Sequence, residues 1–186
     1  VLDESIDSIA READNMKRIV EQLLLLARIG RYMLNPEDID VGDEIEKTID
    51  GYELVCKTHS FALETEPGVI AVADKNLFTE CIRAVADNAI KYSDENTTIK
   101  FTVHADDGYA VIKIIDSGKG ISPSDLPHVF DRFYRCDKSR GRDKNSSGLG
   151  LTIAKSAVEM MNGTIEAESE QGVGSTFTLR FPLKEI

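Results

Sequence analysis

The chain has 186 residues, of which 41% are hydrophobic, 30% charged and 6% aromatic, and its formal net charge is -11. That length fits one domain, or one domain with an appendage, and the composition excludes disordered, collagen-like and fibrous classes. The acidity argues against nucleic acid or an acidic membrane surface as the main partner, and no apolar run reaches the roughly 18 residues of a membrane-spanning helix. Nothing at the start resembles a signal peptide. Cys56, Cys81 and Cys136 are scattered, with no CxxC, which fits a reducing compartment better than a disulfide framework. The first residue is Val1 rather than Met, so a longer parent protein is expected.

The first expected element is one helix over residues 1–34. After an initial step of four, its apolar positions Leu2, Ile6, Ile9, Ala13, Met16, Val20, Leu23 and Ala27 alternate steps of three and four, a heptad seam. Leu24 and Leu26 widen that face. At about 1.5 Å per residue such a helix extends about 50 Å. Gly30 and Asn35-Pro36 end it, because proline restrains the residue before it and cannot continue a helix. So long a seam reads as bundle packing and predicts pairing with a second copy through residues 1–34. It divides the chain into a helical arm, 1–35, and a globular domain, 36–186.

Asp40 to about Lys57 reads as a helix with Val41, Ile45, Ile49 and Tyr52 on one face. Phe61–Thr65 and Val69–Val72 read as strands on either side of Pro67-Gly68. Asp74 is a candidate cap for a helix to about Tyr92, burying Leu77, Cys81, Val85 and Ala89. A hairpin follows, Thr98–His104 and Tyr109–Ile115 around Asp106-Asp107-Gly108. Next come a Gly-rich loop at Asp116–Ile121, a short helix from Pro123 to about Phe130, an irregular stretch over 134–147, and a helix over Leu149–Met161 stopped by Asn162-Gly163. A second hairpin, Thr164–Ser169 and Ser175–Phe181, closes the chain. The expected class is a two-layer α/β (α+β) fold, a mixed and largely antiparallel sheet packed on about three helices.

Several signatures are absent. The one near miss to GxxxxGK[ST], Gly51–Thr58, has Cys56 where the second glycine must stand. None of the pairs Gly118/Gly120, Gly148/Gly150 and Gly172/Gly174 completes GxGxxG. His59, His104 and His128 share no metal-ligand spacing.

An ordered set of glycine loops remains. Asp116-Ser-Gly118-Lys-Gly120-Ile121 follows a strand, Gly148-Leu149-Gly150-Leu opens a helix, and Gly174-Ser-Thr176-Phe opens a strand. Glycine lets backbone N–H groups approach a ligand, and a helix N-terminus favours phosphate. Between the first two loops lies the one basic stretch of an acidic chain. From Asp131 to Ser147 six basic residues (Arg132, Arg135, Lys138, Arg140, Arg142, Lys144) face three acids, a local charge of +3 that suits an anion. Asn88 and Lys91 share a helix face, and an amide oxygen beside an ammonium suits a magnesium-phosphate group, since Mg²⁺ takes oxygen ligands and keeps several waters.

These residues resemble the boxes of bacterial sensor histidine kinases, and the resemblance covers about residues 40–183. Asn88-Ala-Ile-Lys91-Tyr92-Ser is similar to the N box, Asp116-Ser-Gly-Lys-Gly120-Ile to G1, Phe130-Asp-Arg-Phe-Tyr-Arg135 to the F box, Gly148-Leu-Gly150-Leu to G2, and Gly174-Ser-Thr176-Phe to G3. Single boxes are weak signals; five in order are specific. The first 34 residues resemble the second helix of the dimerisation and phosphoacceptor hairpin.

The resemblance implies a Bergerat-type ATP site, shared with gyrase and certain chaperones. On that basis Asp116 accepts a hydrogen bond from the adenine amino group, with Gly118, Gly120, Ile121 and Thr176 around the base. Asn88 ligates Mg²⁺, and Asn88, Lys91 and Arg135 are the candidate catalytic residues. Lys91, Tyr92, Arg132, Arg135 and Lys138 contact ribose or phosphates. Gly148, Leu149 and Gly150 offer N–H groups to the phosphates. The implied function is transfer of the γ-phosphate of Mg-ATP to a histidine on the first hairpin helix, feeding the receiver domain of a response regulator in two-component signalling. The implied setting is cytoplasmic, most parents being anchored in the cell membrane.

Three departures accompany the resemblance. No histidine lies on the heptad helix, so this chain lacks the usual phosphoacceptor. Ala84 stands four residues before Asn88, where the family usually has Asn and its ATP-hydrolysing relatives Glu; alanine can neither hold a metal-bound water nor act as a general base. The lead-in to the G2 box is Asn145-Ser146-Ser147, where paired glycines are common. The alternative is a nucleotide-binding regulatory pseudokinase or dimerisation module without phosphotransfer. A protein-serine kinase of the same superfamily is a third reading, disfavoured by the heptad helix.

Overall fold

The structure is a computed structural model. It describes residues 32–136 and 147–185, with scattered positions between 13 and 27. Those scattered positions, Met16, Val20 and Leu23 among them, are helical; the rest of the expected heptad helix lies outside the described residues.

The elements run β1 (Pro36–Asp40), α1 (Val41–Val55), β2 (Ser60–Thr65), β3 (Ile70–Asp74), α2 (Lys75–Tyr92), β4 (Thr98–Asp106), β5 (Tyr109–Asp116), α3 (Gly150–Met160), β6 (Thr164–Glu170) and β7 (Gly174–Pro182). Five strands form one mixed sheet in the order β2-β4-β5-β7-β6, in which β2 and β4 are parallel and the other pairs antiparallel. β1 and β3 pair antiparallel in a separate ribbon, bridged to the chain's end at Ala71 and Leu183. Helices and sheet form two layers around one core.

Periodicity explains the layers. β4 buries Ile99, Phe101 and Val103 and leaves the alternate Lys100, Thr102 and His104 half-exposed, as a one-sided sheet requires. Ile45 and Ile49 of α1, Leu77, Cys81 and Val85 of α2, and Ala154, Ala157 and Val158 of α3 meet that face. Phe78 and Phe181 pack at 4.9 Å between ring centroids; burying each such side chain contributes about 2–3 kcal/mol. The β4–β5 hairpin turns on Asp107 and Gly108, both at positive φ (46° and 80°), the pair of conformations that matches strand twist in a two-residue turn.

Asp74 joins three pieces. Its Oδ1 caps α2 by accepting from Asn76 and Leu77 N–H at 3.1 and 3.2 Å, and its Oδ2 accepts from Asn35 N–H at 3.0 Å. The entry segment is thereby fixed to the start of the helix that carries Asn88 and Lys91.

Two expectations are corrected. Residues 36–40 form β1, a strand that local pattern does not announce: in Pro-Glu-Asp-Ile-Asp only Ile39 is a buried apolar residue, and pairing with β3 makes the segment a strand. The helix expected over 123–130 is one 3-10 turn, Leu126–His128. Leu126, Val129 and Phe130 mimic helical spacing, but Pro127 lacks an N–H, and Ser122 and Asp125 hold a tight turn through their own side chains (Ser122 Oγ to Asp125 Oδ2, 2.7 Å).

Candidate functional site

A cavity of about 530 Å³ opens between α2, the loop after β5, residues 134–136 and the start of α3. The exposed edge of α2 supplies Glu80, Arg83, Ala84, Asp87, Asn88 and Lys91, at the three- and four-residue spacing that sets one helix face. Tyr92, Asp116, Lys119, Gly120 and Ile121 line one end; Ser147, Gly148, Gly150 and Leu151 line another.

Asp116 is the chemical centre of the first end. It ends β5, is 7% exposed, and its Oδ1 accepts from Gly118 N–H at 2.8 Å. Burial pushes its carboxyl above the usual range, and backbone N–H bonds from Gly118 and Ser175 pull it partly back. Lone pairs left on a buried carboxylate fit the amino group of a base. Beside it, the Tyr92 ring carries two ammonium groups, Lys91 Nζ and Lys119 Nζ, each 4.8 Å from its centroid.

The other end is the N-terminus of α3. Its cap residue, Leu149, makes no side-chain cap bond, and the Leu149 N–H itself donates to Ser147 Oγ at 3.2 Å; the N–H groups of the first turn behind it carry the positive end of the helix dipole. The segment facing it is well anchored: Tyr134 donates to Asp125 Oδ1 at 2.6 Å, which pushes its hydroxyl up to about 12. Thr152 Oγ1 bonds Phe130 O at 3.0 Å, and the Phe130 ring meets Phe177 edge-on at 6.4 Å.

Of the residues singled out from sequence, Asn88, Lys91, Tyr92, Asp116, Gly120, Ile121, Arg135, Gly148 and Gly150 line this one cavity. Gly118 acts behind it as a donor to Asp116. Leu149 is fully buried, Arg132 is exposed outside the lining, and Lys138 lies outside the described residues. Thr176 is also outside the lining, which takes Ser175 and Phe177 instead; successive strand residues point to opposite faces, and Ser175 and Phe177 share the inward one. Sequence reasoning also passed over Lys119 and Tyr134. The basic or phenolic character of each was readable, but not its direction.

Mg²⁺ needs oxygen ligands and tolerates several waters. Asn88 offers one amide oxygen, and a phosphate and water would complete the set, so the residues present fit the ion. Among the described residues no cluster of His, Cys, Asp and Glu could hold a metal by itself.

The fold and cavity are those of a GHKL-type catalytic domain, a mixed sheet packed on three helices. The chain belongs to the histidine kinase-, DNA gyrase B- and HSP90-like ATPase family, whose model matches residues 73–185. It is 35% identical, over 98% of its length, to the signal transduction histidine-protein kinase ArlS of Staphylococcus epidermidis. It is 34% identical over 94% of its length to the sensor histidine kinase WalK of Bacillus subtilis. It spans 41% of the first and 30% of the second, less than half of either relative. Full-length ShkA, solved in complex with AMPPNP, superposes over 100% of this chain and 40% of its own (TM-score 0.83, 22% identity). The Acinetobacter baumannii histidine kinase AdeS does so over 97% of this chain and 84% of its own (TM-score 0.77, 23% identity). Both likenesses establish the fold. The chain thus carries a histidine-kinase-type ATPase domain of two-component sensors. Among the described residues no helix is long and apolar enough to cross a membrane.

Proposed function

We propose that this chain binds Mg-ATP and, in its parent protein, delivers the γ-phosphate to a histidine on the first helix of a dimerisation hairpin, from which a response-regulator receiver domain takes it. The observation that carries this reading is the polarity of the cavity. A buried carboxylate at Asp116 suits the adenine amino group at one end, and the α3 N-terminus, whose cap residue Leu149 makes no side-chain cap bond, suits phosphates at the other. Lys91 and Arg135 supply positive charge between them, and Asn88 supplies an oxygen for Mg²⁺. When bound, that ion would neutralise phosphate charge; the chain's own part is to position the nucleotide and exclude water, which is most of what phosphoryl transfer asks of a protein.

Residues 1–35 act as the second hairpin helix and 36–186 as the ATP-binding domain. Met16, Val20 and Leu23, helical and 62%, 53% and 42% exposed, form an apolar stripe whose natural cover is a second copy. The parent works at the cytoplasmic side of a membrane, in keeping with the sensor kinases it resembles.

Ala84 favours a second reading. It lines the cavity four residues before Asn88 and brings no ligand atom, as a regulatory pseudokinase would permit. The test is calorimetric titration with ATP, with and without Mg²⁺, followed by addition of the His-bearing helix in trans and assay for phosphohistidine. Kinase function predicts Mg²⁺-dependent binding and a phosphorylated helix. Binding with no transfer selects the nucleotide-binding regulatory module, and no binding leaves the boxes as a scaffold for a regulatory or dimerisation role.

A further inference from the structure

The loop after β5 and the turn between β6 and β7 meet at the Asp116 end of the cavity. Their backbones are in contact: Gly172 N–H donates to Lys119 O at 2.8 Å, and a Cβ on Gly120 or Gly174 would overlap the carbonyl oxygen of Glu170 or Asp116. One side chain joins them as well. Ser169 Oγ accepts from Ile121 N–H at 2.8 Å, lies 2.7 Å from the Gly174 carbonyl oxygen, and lies 3.0 Å from Ser175 Oγ.

Counting protons fixes the direction of each bond. A hydroxyl has one proton and two lone pairs. The Gly174 carbonyl only accepts, so the Ser169 proton goes there. In the contact between the two hydroxyls Ser175 is therefore the donor. Both lone pairs of Ser169 are then used, by Ile121 N–H and by the Ser175 hydroxyl. Ser175 lines the cavity; with its proton committed to Ser169, only its lone pairs remain for a ligand. The neighbouring Asp116 carboxylate, when ionised, also only accepts.

We propose that Ser169 is a positioning residue for the base-binding end of the cavity. It pins the Ile121 loop to the β6–β7 hairpin, and it orients the Ser175 hydroxyl so that this end presents acceptors. Such an end selects a purine with an amino group at position 6 over one with an oxygen there, because an oxygen would face acceptors with no proton between them. The base selection rests on the adenine-nucleotide reading above; the pinning of the loop does not.

The test compares Ser169→Ala and Ser169→Thr with the unmodified chain in two measurements. The first is amide hydrogen exchange at Ile121 without nucleotide, and the second is calorimetric titration with ATP and with ITP. Ser169→Ala should exchange Ile121 about tenfold faster and lower ATP affinity about five- to tenfold, with a smaller loss for ITP, and Ser169→Thr should restore both. Unchanged exchange at Ile121 in Ser169→Ala overturns the pinning. Equal losses for ATP and ITP, or a Thr variant that behaves as Ala does, overturn the orientation of Ser175. If the unmodified chain binds neither nucleotide, the adenine reading and the base selection fall together, and the exchange measurement still decides the pinning.

Discussion

The hydroxyl of Tyr52 donates to Asp87 Oδ1 at 2.6 Å, joining α1 to the helix face that lines the cavity. The Tyr52 ring stacks on Phe61 at 5.6 Å, and its hydroxyl also reaches Arg83 O at 3.3 Å. Asp87 lines the cavity next to Asn88, so a hydrogen bond from α1 fixes the turn of α2 that carries the candidate metal ligand.

Tyr52→Phe keeps the stacking and removes the hydrogen bond. It should lower stability by about 1 kcal/mol, read as a lower denaturation midpoint at unchanged m. Burial first, then the bond to Asp87, holds the Tyr52 hydroxyl well above its ordinary pKa of 10.0. The folded state therefore keeps a proton that the unfolded chain loses, and stability should fall as pH rises above about 10. In Tyr52→Phe that alkaline slope should flatten.

Glu44 is 9% exposed and accepts from Lys47 at 2.6 Å and Lys75 at 3.0 Å. Burial alone would raise its pKa; the two lysines outweigh it and hold the carboxyl below its ordinary 4.5. Its stabilisation is thus present above the ordinary value and lost as pH falls through the lowered one. Glu44→Gln should cost about 1 kcal/mol at neutral pH and nothing below both values, measured by urea titration across pH.

Asp116→Asn should leave the circular dichroism spectrum intact and weaken ATP about 10- to 100-fold, the range for losing a hydrogen bond to a charged group. Burial raises the carboxyl above 3.8. The folded state then binds a proton more tightly than the unfolded chain, and stability declines as pH rises from 3.8 through the raised value. The amide does not titrate, so this slope should vanish in the variant.

Ala84→Asn adds an amide oxygen to the cavity face four residues before Asn88. ATP affinity should rise about three- to tenfold in the presence of Mg²⁺ and stay unchanged in EDTA. An equal gain in both conditions would show that the new side chain acts on the nucleotide and not through the ion.

How much was legible beforehand depended on whether the signal was local. α1 and α2 were readable because their apolar residues recur at helical spacing and, for α2, because Asp74 caps it through its own side chain; the cap that Asp40 gives α1 appeared only in the structure. The β4–β5 hairpin was readable because its turn pair accepts positive φ and Ile99, Phe101 and Val103 alternate. β1 was not, because a segment with one buried apolar residue becomes a strand only when β3 lies beside it. Residues 123–130 misled because apolar spacing alone does not register the tight turn closed by Ser122 and Asp125. At the site, the glycine loops suited an anion and the family resemblance pointed to Asp116 and Thr176 for a base, but which of Ser175 and Thr176 faces the cavity is a matter of strand face, and that face is set by register with β5 and β6.

The amino-acid sequence by itself determined the family, the alternation of elements and nine of the residues that line the cavity, because caps, turns, periodic burial and ordered boxes act over a few residues at a time. Only the tertiary structure decided that Ser175 faces the cavity, that Lys119 shares the Tyr92 ring with Lys91, that Tyr52 reaches Asp87, and that Ser169 joins Ile121 to Gly174. Each of these depends on strand register or on the packing of one element against another, and those are settled by the whole core at once rather than by any local run of residues.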